Sequence, residues 1–516
     1  MKVLITGGTG VIGAAAVRAL LAATHEVRLF SRNAKADAAR WRGEIEVREG
    51  SIGSPLDVAG IAEGCDAVLH IAGIAEERPP EATFARVNVG GTQHLVSEAE
   101  RAGVRRFVYV SSLGADTGTS AYHASKLQGE QIVRGFRGSW LICRPGNVYG
   151  PGDEVISFLL QIVRSSPVAP LVDLGDQPFQ PLWADDLGAA LAVAVEREDL
   201  SSRVLLLAGS EVTSTQDLFN RLSRITGRAP VQVPVPSPLA ALGTQVASAL
   251  GALGVRIPFD ENKLTMLQEG NVIAPTEVNA LTEVLAVRPT PLDEGLAQLA
   301  NAQPEQLDGT GHLVRRRFVA RLEGVTRYPK ELFQEFKQRF FELAPEATLR
   351  TAGEPVQEAR IETGATLTLD LPLRGHVQVR VVEVTSTSMS LVTLAGHPLA
   401  GVNTFRFEGI PGHDLRFEVE TCDRSATPLD EIAMRTLGLF LKRWTWATLV
   451  ERTAKAFGSP EPIETTTTEE TLRGEDERQA LQDMERKIAA QAREVEPDLQ
   501  EEARAKMAEA AALKPV

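Results

Sequence analysis

Cysteine is scarce in this 516-residue chain: Cys65, Cys143 and Cys422 lie far apart and form no Cys-x-x-Cys pair. That pattern excludes a disulfide framework, offers no cysteine-built metal site, and suits a reducing cytoplasm. Each of the three reads as a small buried hydrophobe. A surplus of positive charge is also missing. The net charge of −14 argues against a general nucleic-acid binder. Long apolar runs are absent too. The one uncharged stretch, 229–255, holds several prolines, Gln245 and many small residues, which is poor material for a spanning helix. Within it Leu239, Leu242, Val246, Leu250 and Leu253 repeat at helical spacing. They read as a core-facing helix or, alternatively, as a helix covering a substrate pocket or touching a membrane surface through 239–253. The chain opens directly on a strand-like run, so no signal peptide is expected.

What is present begins at the first residues, MKVLITGGTGVIG. An apolar run ends at Thr6, glycines recur at Gly7, Gly10 and Gly13, and an alanine-rich helical stretch follows over about 11–23. Strand, glycine turn and helix together bring a pyrophosphate to backbone N–H groups at a helix N-terminus. Gly7 permits the tight turn, Gly10 lets the backbone approach the ligand, and Gly13 lets the helix pack closely.

The first 200 residues alternate strands (2–6, 26–31, 45–49, 67–72, 106–111, 140–144) with helices that include 88–102 and 121–134. Such alternation predicts right-handed βαβ units and a doubly wound parallel sheet, an α/β fold. A small substrate lobe completes 1–300, and a polar stretch with Pro304 marks a linker at 301–311. Over 312–458 the pattern becomes strand (312–323), helix (329–342), alternating strands near Leu367, Val377, Phe405 and Leu415, and a long helix (429–457). Polar residues between the apolar ones predict a sheet with one wet face. This order resembles a helix-grip (START-like, SRPBCC) α+β domain, in which a curved sheet and its last helix enclose an apolar cavity. The segment Leu394-Ala-Gly-His-Pro-Leu-Ala-Gly-Val-Asn403 followed by TFRFE resembles the DUF1990 group. His397 there is a candidate site residue or a turn residue with satisfied hydrogen bonds. The acidic tail, 459–516, opens with Thr465–Thr468 and reads as a solvated helix from Leu472 or as disorder.

A second motif joins the first. Tyr122-His-Ala-Ser-Lys126 follows the strand ending Val110-Ser111-Ser112 by about ten residues, in a chain with only four tyrosines. At i and i+4 the phenol and the amine share a helix face, about 6 Å apart at Cβ. An ammonium at that distance, at an effective dielectric near 20, favours the phenolate by roughly 3 kcal/mol, about two pKa units. Tyr122 is thereby expected to act as a general acid/base.

With these motifs, and with Val68-Leu-His-Ile-Ala-Gly73, Asn88-Val-Gly-Gly-Thr92, Arg144-Pro-Gly-Asn-Val-Tyr-Gly-Pro151 and Trp183-Ala-Asp-Asp-Leu187, residues 1–300 resemble the extended or atypical short-chain dehydrogenase/reductase superfamily (the NAD-dependent epimerase/dehydratase group). The resemblance implies Tyr122, Lys126, Ser112 and Asn88 as catalytic residues. Ser111 is the alternative hydroxyl, and a helix N-cap is the alternative role of Asn88. It implies a dinucleotide held by Gly7, Thr9, Gly10, Val11, Ile12 and Gly13, with Ala72, Gly73, Ser111 and Pro145 along the nicotinamide side. Tyr122 and Lys126 also border the cofactor, Lys126 by donating to the ribose hydroxyls. No metal is expected.

At the end of the second strand stand Ser31 and Arg32, where an NAD-preferring enzyme places a carboxylate. A guanidinium pairs with a 2′-phosphate, so NADP(H) is expected, with NAD as the alternative and a solvated Arg32 as the competing reading. Ser51 stands where the family commonly has an Asp against the adenine. The expected function is a hydride-transferring oxidoreductase acting on a small apolar carbonyl or alcohol. The alternatives are a sugar-nucleotide epimerase/dehydratase and a non-catalytic NAD(P)-binding scaffold with a lipid-binding C-terminal domain. A cytoplasmic setting is expected, and the sequence leaves open whether the chain forms a homodimer.

Overall fold

Short runs of β-branched and aliphatic residues, each closed by glycine or polar residues, form the strands β1 (Lys2–Thr6), β2 (Glu26–Ser31), β3 (Ile45–Glu49), β4 (Ala67–His70), β5 (Arg106–Val110), β6 (Ser139–Pro145) and β7 (Arg203–Leu207). In this computed structural model they make one parallel seven-stranded sheet in the order β7-β6-β5-β4-β1-β2-β3. The structure describes all residues except 40, 42–44, 173–174, 237–271, 347, 352–359, 373, 410–414, 460–461 and 513–516. The helix expected through Leu239–Leu253 therefore lies outside the described residues.

Side chains alternate across the sheet. Val3, Ile5, Leu29 and Val108 feed one buried cluster, while Leu4, Phe30, Val68 and Phe107 feed the other. The helices include α1 (Val11–Ala22), α2 (Gly91–Arg101), α3 (Ala121–Arg134), α4 (Ile156–Ser165) and α5 (Ala184–Glu196). Small residues let α1 and α5 approach closely: a Cβ on Gly188 would meet the Ala15 carbonyl carbon at 2.6 Å. Strand order turns back between β1 and β4, so the crevice at the carboxyl edge opens there.

The second sheet is antiparallel. It comprises β8 (Thr310–Leu322), β9 (Arg350–Thr351), β10 (Thr366–Leu371), β11 (Gly375–Val384), β12 (Ser388–Thr393), β13 (Leu399–Gly409), β14 (Leu415–Ser425) and β15 (Thr465–Thr471), ordered β9-β10-β11-β12-β13-β14-β8-β15. Two helices, α6 (Pro329–Leu343) and α7 (Leu439–Ala456), share a core with one face. The interior between them is filled. Phe336 contacts Phe340, Phe405, Phe407 and Phe417 at ring separations of 4.8–6.1 Å, and Trp446 abuts Phe405. Where the helix-grip resemblance places an apolar cavity, these described rings pack on one another.

Two further expectations are corrected. The Thr465–Thr468 run pairs with β8 as an edge strand instead of opening a solvated tail. The helix after it, α8 (Glu475–Ala512), is not merely solvated. Its Ala480 and Met484 cover Val382, Val392 and Val402, so the sheet face expected to be wet is partly covered. Further along, Ala510 joins the core of the parallel sheet, and Lys506 bonds Asp186. Apart from Met484, this helix buries alanines, Gln491 and Glu496, so its sequence shows little hydrophobic period. The polar 301–311 segment is likewise packed down: Gln303 is buried, and Arg380 reaches both Glu305 and the Gln303 carbonyl. All three cysteines are buried and unbridged. Among the described residues no helix is long and apolar enough to cross a membrane.

Candidate functional site

The glycine turn after β1 shows why each position lacks a side chain. Gly7 has φ +72°, and a Cβ there would lie 2.6 Å from the Ala72 amide nitrogen. A Cβ on Gly13 would overlap the Gly7 carbonyl oxygen, so the helix packs on the turn itself. Gly10 differs: its Cβ would approach protein only at 3.8 Å, so it faces open space. Gly10 is also the N-cap of α1 and supplies no capping side chain. The N–H groups of Val11, Ile12 and Gly13 accordingly have no intrahelical acceptor. A dinucleotide pyrophosphate fits this cradle, which pairs donors with room for the ligand. Thr9 lies in the turn, while Ala72 and Gly73 follow β4 on the same edge. Pro145 ends β6, and its carbonyl accepts from Leu113 N at 2.9 Å. Arg32 is exposed just beyond β2 and has no carboxylate partner among the described residues, whereas Ser31 is taken by Asp37.

The helix carrying Tyr122 and Lys126 starts at Ser120, whose hydroxyl accepts from His123 N at 3.2 Å, and it stops at Gly135. Tyr122 is half-buried, and Ser112 is the side chain that acts on its phenol against burial. Ser111 points elsewhere, donating to the Glu130 carboxylate at 2.7 Å. Of the two serines, only Ser112 therefore meets the phenol. Lys126 is buried, and its Nζ donates to the Val110 carbonyl at 2.7 Å, 5.0 Å from the Tyr109 ring centre. Gly73 adjoins it: a Cβ there would stand 3.5 Å from Nζ.

This geometry corrects the expected electrostatics. Burial pushes the Tyr122 phenol up to about 12, opposed only by the Ser112 hydrogen bond. Burial also pulls the Lys126 ammonium down to about 8, against the opposing pull of Glu130. Sharing a helix face did not aim the amine at the phenol; the Val110 carbonyl claims it. Desolvation disfavours both charged forms, and Tyr122 rests as a protonated phenol.

Asn88 takes the non-cap one of its two expected roles. It lies inside the widened turn Ala85–Gly90 that runs into α2, so it is not an N-cap. Its Oδ1 accepts from Ile74 N at 2.8 Å, and its Nδ2 donates to Ile74 O at 3.0 Å and to Ser125 Oγ at 2.9 Å. It clamps the main chain after Gly73 onto the Tyr122 helix.

Behind these residues runs a polar chain that sequence reasoning left without a role. The Thr92 hydroxyl donates to Asn88 O at 2.6 Å, so it must accept from His70 Nε2, 3.0 Å away. Burial drives His70 down to about 3, leaving it neutral, so its Nδ1 accepts from the Thr6 hydroxyl at 2.7 Å. Ser125 then donates to Tyr122 O at 2.7 Å. Donors thus point one way from the glycine turn to the catalytic helix, an arrangement in which each bond polarises the next. Glu130 was missed too. It is fully buried and accepts from Arg144 Nε (2.7 Å) and Nη2 (2.8 Å), from Arg134 (2.8 Å) and from Ser111. Its i+4 spacing from Lys126 was the available signal. The Asp186 of the Trp183–Leu187 stretch sits away from this group, bonded to Thr290 N at 2.6 Å and to Lys506.

Residues 3–207 match the model of the NAD dependent epimerase/dehydratase family. A ceramide reductase of Caulobacter vibrioides is 40% identical over 238 residues, covering 46% of this chain and 74% of that protein. A 3 beta-hydroxysteroid dehydrogenase/Delta 5→4-isomerase of Mycobacterium tuberculosis is 33% identical over 184 residues, which span 30% of this chain and only 49% of that relative. Among solved structures, the Thermus thermophilus UDP-glucose 4-epimerase complex with NAD is 21% identical, with a TM-score of 0.44 over 58% of this chain and 98% of that one.

Proposed function

The chain belongs to the NAD dependent epimerase/dehydratase family and is an NAD(P)-dependent oxidoreductase, and from that premise we propose that it reduces the carbonyl of an apolar, lipid-like molecule with NADPH. The observation that carries this reading is the half-buried Tyr122, kept a protonated phenol by burial, on the helix whose Lys126 lies against Gly73, next to the Ala72 that Gly7 packs on. When bound, the dinucleotide supplies a hydride to the carbonyl carbon. Ser112 hydrogen-bonds the carbonyl oxygen and polarises it. Tyr122 donates its proton to that oxygen as charge develops there. Lys126, held by Val110 O beside Gly73, would donate to the ribose hydroxyls. Asn88 keeps Gly73 and Ile74 against the Tyr122 helix. A resting phenol suits reduction, since alcohol oxidation would need the phenolate first. The apolar substrate is supported by relatives named for ceramide and for a hydroxysteroid. We read 1–300 as the catalytic unit and the antiparallel sheet with α6 and α7 as a helix-grip arrangement, supported by its element order.

Two measurements test this reading. With saturating NADPH, turnover of a ketone is expected to be level from about pH 6 to the Lys126 value of about 8. Above that value Lys126 loses its proton, the cofactor ribose would lose its ammonium partner, and turnover falls with a slope approaching −1. In Lys126→Met the break near 8 should vanish; a rise with pH in the parent protein would contradict the proton-donor role. Separately, Arg32→Ala is expected to cut the NADPH-over-NADH preference in kcat/KM by about 10- to 100-fold, the worth of one charge-assisted pair. NADH affinity should be unchanged, and an unaltered preference would remove Arg32 from cofactor choice.

A further inference from the structure

The reductase reading leaves α8 without a role, yet this helix reaches both lobes. Its first half lies on the antiparallel sheet. Ala480 and Met484 pack on Val382, Val392 and Val402, and Lys487 Nζ donates to Glu383 at 2.6 Å and to Ser390 Oγ at 2.8 Å. Its second half lies on the first lobe, where Met507 and Ala510 join the core to which α1 and α5 contribute. The crossing is abrupt. Val495 Cγ1 would stand 3.1 Å from a Cβ on Gly364 of the second domain, whereas Glu496 already lies 3.7 Å from Arg18 Nε of α1. Pro497 follows at once, inside the helix. It has no N–H to give to the Arg493 carbonyl, so the two halves meet where the helix is weakest.

The second half carries a charge that the first lobe does not supply for itself. Asp186, in the first turn of α5, is fully buried. It accepts from Thr290 N at 2.6 Å and from Thr290 Oγ1 at 2.8 Å. Among the described residues the only cation bonded to it is Lys506, which also donates to Thr290 Oγ1 at 2.7 Å. Burial pushes the Asp186 carboxyl up, and Lys506 heads the groups that oppose this. A buried carboxylate stripped of its cation is strongly unfavourable.

That pair stands close to the glycine turn. Ala184 opens α5, and a Cβ on Gly150 would lie 2.9 Å from Ala184 Cβ and 3.6 Å from Val11 Cγ1. Val11 carries the first open N–H of the cradle. One turn further along, a Cβ on Gly188 would lie 2.7 Å from the Ala15 carbonyl oxygen, so α5 bears on α1 without slack. A shift of α5 is therefore a shift of the helix that would hold the pyrophosphate.

We infer, on the reading of the Gly7–Gly13 turn as the dinucleotide site, that α8 is a strap that sets the dinucleotide affinity of the first lobe. Seated through Lys506 on Asp186, it holds α5 and α1 together around the turn; lifted beyond Pro497, it releases them. Coupling of this kind is reciprocal, so a bound dinucleotide tightens the seated strap by the factor by which the strap tightens the dinucleotide.

The full chain and its Lys506→Met variant are compared by calorimetric titration with NADPH, in about 0.3 M sodium chloride to screen any through-space effect of the lost charge. Affinity is expected to fall by about tenfold or more in Lys506→Met. Adding Asp186→Asn, which removes the buried charge, should restore it to within about threefold. In the parent protein NADPH should slow amide hydrogen exchange over 498–512. Parental affinity in Lys506→Met, no recovery in the double variant, or exchange over 498–512 that ignores NADPH overturns the strap. If Lys506→Met fails to fold, the NADPH dependence of exchange in the parent protein decides. A parent protein that binds no NADPH contradicts the reading of the glycine turn instead. The strap is then decided by amide exchange in α1, which must be faster in Lys506→Met; parental rates there overturn it.

Discussion

Tyr122→Phe is expected to lower ketone reduction by about 10²- to 10⁴-fold, the usual contribution of a positioned general acid, while leaving NADPH affinity within about twofold. Ser112 acts on the phenol, and among the described residues no buried hydrogen bond that holds the fold together uses it. The effect should therefore fall on kcat and kcat/KM equally, the signature of an interaction made in the transition state. Single-turnover loss of NADPH absorbance with a panel of apolar ketones measures it. Parental turnover in the variant would take Tyr122 out of the mechanism. Tight NADPH binding without turnover in either protein would favour a scaffold.

The second large effect concerns stability. Glu130→Ala is expected to cost about 3–5 kcal/mol, because it strips a fully buried carboxylate from Arg144, whose side chain is only 8% exposed. Asp116 and solvent can compensate Arg144 only in part. The midpoint of thermal unfolding of the parallel-sheet lobe should drop by roughly 6–12 °C. Ser111 would also lose its acceptor and compete with Ser112 for the phenol, so turnover should fall further than stability alone explains. An unchanged midpoint would mean that the Arg144–Glu130 pair is not formed in solution.

The parallel sheet was largely legible because its early strands are short aliphatic runs cut off by polar or glycine residues; β1, β2 and β3 match the sequence reading end to end. The last strand, β7, was missed: it follows a stretch of mixed polarity, and nothing local tells a buried edge strand from a loop. The β12 strand escaped because Ser388, Ser390 and Thr393 interrupt its apolar residues, although Ser390 and Thr393 are buried and hydrogen-bonded.

The site divides in the same way. Tyr122 and Lys126 were visible because i,i+4 spacing is a local property. Where Lys126 points was not, since that depends on the Val110 carbonyl from another element. His70 and Thr92 belong to a network joining distant segments, which no spacing rule reveals; Glu130 is i+4 from Lys126, but its Arg144 partner comes from another strand. Nor does composition tell whether a sheet encloses a cavity or a phenylalanine cluster. Phe336 could have lined a pocket, and only its four ring neighbours show that it fills one.

The central claim is that one crevice brings the Gly7–Gly13 amides and the Tyr122 phenol to the same cofactor. A crystal structure of the full chain grown with NADPH tests it most directly. The account requires the pyrophosphate on the N–H groups of Val11 and Ile12, with the nicotinamide ring beside Tyr122 Oη and Lys126 within reach of its ribose. A dinucleotide bound elsewhere, or seated on the glycine turn with its ring directed away from Tyr122, would contradict it.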